Sequence, residues 1–166
     1  VRNFETYIYN FDYNQETAYG DFSIRFRGYN QQLFESAPTA DPDDLVDYTG
    51  QASEPEWIYD ILVGLNRDNW GVYYKVDGQS GGYINILQDQ EAFPDQYSGL
   101  DGEPITEFDG YFLDAMSVTY SPNDNTFVAL NVSNPFGLDG TESNRFDRER
   151  GINLYQTVSL SLRHKF

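Results

Sequence analysis

The residues of this chain best suited to bind a metal are four aspartates, Asp41, Asp43, Asp44 and Asp47, within seven positions. Carboxylates crowded in one loop are hard oxygen donors, and calcium takes about six to eight such oxygens. The run TADPDDLVD is therefore a calcium candidate, and calcium is the only cofactor the sequence suggests. It is not an EF-hand, because the glycine and the closing glutamate which that loop requires are missing. A solvated acidic loop explains the same run with fewer assumptions. A second set is aromatic: Tyr83, Phe93, Tyr97, Phe108 and Phe136 lie among Asp, Gln and Asn. Ring faces beside carboxylate or amide acceptors can hold a sugar, although packing of loops on one another accounts for such rings equally well.

Catalysis finds little support. An enzyme needs a nucleophile with a base, or a paired set of acids. His164 is the single histidine and sits in the last strand-like segment, so the chain reads as a non-enzyme. The chain has no cysteine, which removes disulfides and thiolate metal sites.

The elements that must position these residues are strands. Aromatics make up 17% of the 166 residues, with 14 Tyr and 12 Phe, and such side chains pack well on a pleated surface. No apolar run approaches the roughly 18 residues of a spanning helix. The opening VRNFETYIYNF lacks a charged segment followed by an apolar one, so no signal peptide is read there. Alternation with period two predicts seven strands: Asn3–Tyr13, Phe22–Gln31, Trp57–Leu65, Trp70–Asp77, Tyr111–Tyr120, Thr126–Asn134 and Asn153–Phe166. In the second, Phe22, Ile24 and Phe26 oppose Ser23, Arg25 and Arg27. In the fourth, Trp70, Val72, Tyr74 and Val76 oppose Gly71, Tyr73, Lys75 and Asp77. In the last, Val158, Leu160 and Leu162 oppose Ser159, Ser161 and Arg163. The first strand carries aromatics on both faces.

The connections alternate short and long. NQETAYG, NRDN and SPNDN are rich in turn-forming residues. Between them lie stretches of about 25, 32 and 18 residues, unusual in a compact soluble domain. Those three stretches hold eighteen acidic residues against three arginines, so they carry fifteen of the seventeen net negative charges. Such a surface repels nucleic acid. It also disfavours polyanionic ligands and favours neutral, cationic or calcium-bridged ones. Outer-membrane barrels have this asymmetry, with short periplasmic turns, long extracellular loops and strands that alternate apolar-out and polar-in.

The chain ends in TVSLSLRHKF, and an alternating strand with a final Phe resembles the assembly signal of outer-membrane barrels. Val158, Leu160, Leu162, His164 and Phe166 would form its lipid-side row, with His164 standing where that family usually has an aromatic. Three stretches narrow the resemblance. EPEWIYDILVGLNRDNWGVYYKVDGQSGGY looks like the Pro-x-Trp, strand, turn, Trp, strand pattern of TonB-dependent outer-membrane receptors. DGYFLDAMSVTYSPNDNTFVALNVSNPFG resembles their penultimate hairpin, and RERGINLYQTVSLSLRHKF their last strand. The resemblance implies that residues 1–166 are the C-terminal part of one transmembrane β-barrel of about 22 strands in the bacterial outer membrane. It implies active transport of a scarce nutrient (a metal chelate, a vitamin or an oligosaccharide), energised through TonB acting on a plug domain. The implied partners are the remaining N-terminal part of the barrel, the barrel-assembly machinery, TonB and outer-membrane lipid. A passive porin-like channel and a surface adhesion or anchoring barrel are the alternative functions. Seven strands are an odd number, whereas bacterial single-chain barrels close with an even one. The sequence therefore leads to the expectation that the other strands come from elsewhere.

The terminal row gives the first prediction. Deleting Phe166, or Leu160→Arg, is expected to lower the yield of heat-modifiable barrel on cold SDS gels, since Arg near the membrane midplane costs about 2–4 kcal/mol. Wild-type yield from both variants would remove the basis for this topology.

Overall fold

The seven alternating segments do form long strands. The computed structural model describes residues 2–37, 39, 41–51, 54–83, 107–136 and 156–165. In chain order the strands are β1 (Arg2–Thr17), β2 (Gly20–Ser36), β3 (Val46–Asp47), β4 (Trp57–Arg67) and β5 (Trp70–Gln79), then β6 (Gly82–Tyr83), β7 (Glu107–Phe108), β8 (Tyr111–Asn123), β9 (Thr126–Ser133) and β10 (Thr157–His164). The one helical element among the described residues is a single 3-10 turn, Pro42–Asp44. The strands pair in the order β1-β2-β4-β5-β8-β9-β10, with β3 attached to β2, while β6 and β7 form a separate two-stranded sheet. The fold is thus all-β and antiparallel, and among the described residues the main sheet is open, with β1 and β10 at its edges.

Several boundaries differ from the sequence reading. Strand β1 continues through Asn14–Thr17 and β2 through Gln32–Ser36, so the first short connection shrinks to Ala18 and Tyr19. The other short turns are Asp68–Asn69 and Asp124–Asn125. Strand β8 runs on through Ser121, Pro122 and Asn123, which the composition assigns to a turn. A register shift between Tyr120 and Asn123 explains why: proline donates no ladder hydrogen bond and is tolerated in a bulge. The three two-residue strands are too short to show a period.

By contacts the chain divides into two compact units. The first comprises Val1–Ile8, Tyr29–Ile58 and Gln79–Tyr111. In it the connection after β2 is stitched back onto the sheet: Gln31 N donates to Glu56 O (2.8 Å), Tyr48 N to Phe34 O (2.8 Å) and Phe34 N to Thr49 Oγ1 (2.7 Å). The second comprises Tyr9–Gly28, Tyr59–Gly78 and Phe112–Phe166. It contains the three short turns and β9 and β10 in full.

The register in the second unit sorts side chains onto two faces. Residues directly opposite in neighbouring strands share a face. One face therefore carries the rows Met116, Val132, Val158; Val118, Leu130, Leu160; and Tyr120, Val128, Leu162. The other carries Ser117, Asn131, Ser159 and Thr119, Ala129, Ser161. Nothing among the described residues covers the apolar rows, and Leu160 and Leu162 are 73% and 72% exposed. The described residues have no conventional hydrophobic core. Among the described residues the buried apolar side chains are Ala129 and Pro55, whereas Asn30, Gln31, Gln51, Asp114 and Asn134 are all buried.

Gly20 closes the first hairpin with φ of +135° and lies against β4, where an added Cβ would meet the Asn66 carbonyl. Gly20→Ala is expected to cost about 1–3 kcal/mol from backbone strain, read as a lower urea midpoint with an unchanged slope. An unaltered midpoint would show that the hairpin does not hold this geometry.

Candidate functional site

The polar face is the first feature able to do chemistry. A Cβ on Gly71 would meet the Thr119 hydroxyl and Asn66 Oδ1, and one on Gly64 would meet Ser23 Oγ and the Tyr73 ring. Those residues therefore share the face of Ser117 and Thr119, and Tyr73 lies across the two glycines, bonded to Asn66 through its hydroxyl. Alternation adds Arg25, Arg27, Asp60, Lys75 and Asp77. These charges neutralise one another: Arg27–Asp12 at 2.9 Å, Lys75–Asp77 at 2.7 Å and a looser Arg25–Asp60 at 3.9 Å. Ser117 Oγ donates to Asn131 Oδ1 at 2.8 Å. On this wall three cations are thus paired with three carboxylates. It also settles β1, since Asp12 lies on the polar face and Tyr13 packs edge-on against Phe22 (6.5 Å between centroids).

The aspartates of the acidic run bond mainly to their own loop. Asp41 caps the 3-10 turn by accepting from Asp43 N at 3.0 Å, and Asp44 accepts from the Thr39 hydroxyl. Asp47 accepts from Thr49 N at 2.9 Å. Hydrogen bonds from the Thr49 side chain and backbone hold the Asp47 carboxyl below its usual pKa of 3.8. Among the described residues, no group of three or more His, Cys, Asp or Glu side chains is placed to share a metal ion.

The aromatic candidates fare differently. Tyr83 is tied into the connection before β4: its N–H donates to Gly50 O and its hydroxyl to Thr49 O, each at 2.9 Å. Gly50, with φ of +77°, lies against its ring. The Tyr83 side chain is 42% exposed overall, yet its hydroxyl end is desolvated against the loop. That burial, then the nearby carboxylates of Asp47 and Glu56, raise its pKa above 10.0. Phe108 pairs with Gly82 through the backbone of β7. Phe93 and Tyr97 lie outside the described residues. Phe136 belongs to the other unit, 71% exposed, with its ring edge-on to Tyr74 at 5.8 Å. The five rings are thus not shown to form one site.

One cluster escaped the sequence reading. Asp114 stands in phase with the apolar row Met116, Val118 and Tyr120, and it is 3% exposed. Tyr74 donates to its Oδ2 at 2.9 Å, and Asn134 N donates to its carbonyl at 2.6 Å. Tyr74 thus supplies a partner for one carboxylate oxygen, while Oδ1 is buried without one among the described residues. An acidic residue at an apolar position of FLDAMSV was the available signal.

No family model, curated protein or solved structure matches the chain. The terminal row must therefore be judged on its own geometry. Val158, Leu160 and Leu162 lie opposite Val132, Leu130 and Val128 and are all exposed. His164 lies opposite Thr126, whose hydroxyl is 2.9 Å from its Nδ1. Phe166 lies outside the described residues.

The Tyr83 contact makes a testable latch. A raised tyrosine pKa stabilises the loop fully below about pH 10 and loses that contribution as pH climbs through the raised value. Tyr83→Phe is expected to cost about 1 kcal/mol, one net hydrogen bond, and so to speed subtilisin cleavage within residues 47–56 several-fold at pH 8. Wild-type cleavage should approach the variant's rate above pH 10. Identical rates at both pH values would show that the hydroxyl is not holding the loop.

Proposed function

We propose that this chain is a stretch of outer-membrane barrel wall, and that the barrel takes up a scarce nutrient with energy delivered through TonB. One observation carries the membrane half: among the described residues many large apolar side chains are exposed, whereas the buried side chains are mostly polar. Soluble sheets do the opposite, covering their apolar face with a second layer. Nine apolar side chains in register across β8, β9 and β10 form a continuous patch. Patches of that kind mark contact with lipid or with a partner. The ion-paired opposite face suits a wet lumen. The transport half is supported by the resemblance of the Pro-x-Trp hairpin, the penultimate hairpin and the terminal strand to TonB-dependent receptors. The nutrient would be a metal chelate, a vitamin or an oligosaccharide, met by the long acidic connections on the extracellular side.

Adjacent positions on one strand test the membrane half. Val118→Arg places a charge on the apolar face and should reduce the heat-modifiable fraction in outer membranes, at about 2–4 kcal/mol near the midplane. Thr119→Arg, on the polar face, should leave that fraction near wild type. Equal effects from the two variants would contradict the lipid assignment. For the transport half, cells expressing the protein should lose uptake of its nutrient when TonB is deleted. Undiminished uptake without TonB would identify a passive pore instead.

A further inference from the structure

At the short-turn end of the second unit lies a cavity of about 570 Å³. Its walls are the β4–β5 turn (Asp68 and Asn69), residues 121–127 around the β8–β9 turn, and Arg163 and Lys165 at the end of β10. Pockets of roughly 300–1,000 Å³ are the size that holds small organic ligands. The bulge in β8 shapes this one. A bulge bends its strand and re-aims side chains, and Ser121, Pro122 and Asn123 all stand in the wall.

Charge supplies the second observation. Phe127 lies directly opposite Arg163, one alternation on from Ala129 and Ser161, so both belong to the polar face. Arg25, Arg27 and Lys75 on that face each have a carboxylate partner. Among the described residues Arg163 and Lys165 have none. Asp68 is held by Arg67 at 3.7 Å, which leaves Asp124 as the lining carboxylate without a cation. Two unpaired cations against one unpaired carboxylate give the cavity a single excess positive charge, in a chain of net charge −17.

We propose that this cavity binds a short peptide by its C-terminal carboxylate. The Arg163 guanidinium is a planar fork that matches a carboxylate bidentately, and Lys165 adds a point charge beside it. The side-chain amides of Asn69, Asn123 and Asn125 can donate and accept, as the peptide groups of the ligand do. Pro122 and the exposed Phe127 ring offer apolar surface to its terminal side chain. One excess positive charge suits a carboxylate. A phosphate, at about −1.5 to −2 near neutral pH, would set its further charge against Asp124. The site goes beyond the barrel-wall reading and needs no assumption about what medium meets the apolar face.

NMR titration of the isotope-labelled full chain in dodecyl maltoside micelles tests this, with trialanine, trialanine C-terminal amide and inorganic phosphate as probes. Trialanine should shift the backbone amides of Asn69, Asn125, Phe127 and Arg163 and leave those of Met116 and Val118 in place. The amidated peptide and phosphate should each bind about tenfold more weakly or worse. Arg163→Gln should weaken trialanine binding to the same degree, and Arg163→Lys, which keeps the charge but loses the fork, by less. Arg25→Gln removes a cation of the same face that already pairs with Asp60, and should leave binding unchanged. Equal shifts from trialanine and its amide, or none from either, would overturn the proposal. So would phosphate binding as tightly as trialanine, or Arg25→Gln weakening binding as much as Arg163→Gln. The three probes are compared on the wild-type chain, so that comparison stands even where a variant fails to fold. The barrel-wall reading is decided separately, by Val118→Arg against Thr119→Arg.

Discussion

Successive side chains of a strand point to opposite faces, so a single sheet must offer each face to some medium. That constraint governs everything observed along β8, β9 and β10. The register brings Met116, Val118 and Tyr120 into line with the apolar residues of β9 and β10, and Ser117 and Thr119 into line with Ser and Asn. A one-residue slip would exchange the two sets completely. The bulge at Ser121–Asn123 falls beyond the last of the apolar rows, so β8 can take an extra residue without disturbing the sorting.

Polar groups are organised by the same rule. Arg25, Arg27 and Lys75 find carboxylates on their own face, and most of the excess charge lies in the long connections. Asp114 is the exception on the apolar face, and it is buried under Tyr74 with the backbone of Asn134 bonded to its carbonyl. The long connection before β4 is handled differently, by backbone bonds from Tyr48, Gln51 and Tyr83 that fasten it residue by residue.

The seven long strands were legible because alternation over eight or more residues is a strong signal. Their ends were not. Asn14, Gln15 and Glu16 look like turn residues yet continue β1, and Pro122 looks like a terminator yet sits in a bulge. In both places the ladder outweighs local preference. The paired strands β3, β6 and β7 span two residues each and leave no period to find. The acidic run was visible, but composition could not show that Asp41, Asp44 and Asp47 would take neighbouring hydroxyls and N–H groups. The Tyr83 latch depends on a contact across 34 positions, beyond any local pattern.

Every pairing on the main path joins strands that are consecutive along it, and this shapes how the sheet can be assembled. Three of the six junctions are two-residue turns, so β1–β2, β4–β5 and β8–β9 are hairpins able to form from local encounters alone. The other three must close connections of 20, 31 and 23 residues. Closure entropy rises only slowly with length, by about 0.6 kcal/mol per doubling. Length alone therefore separates the three closures by only about 0.4 kcal/mol, and the topology permits assembly by three preformed hairpins docking edge to edge. A chain following that route would display β9's unpaired edge until β10, eight residues long, docks.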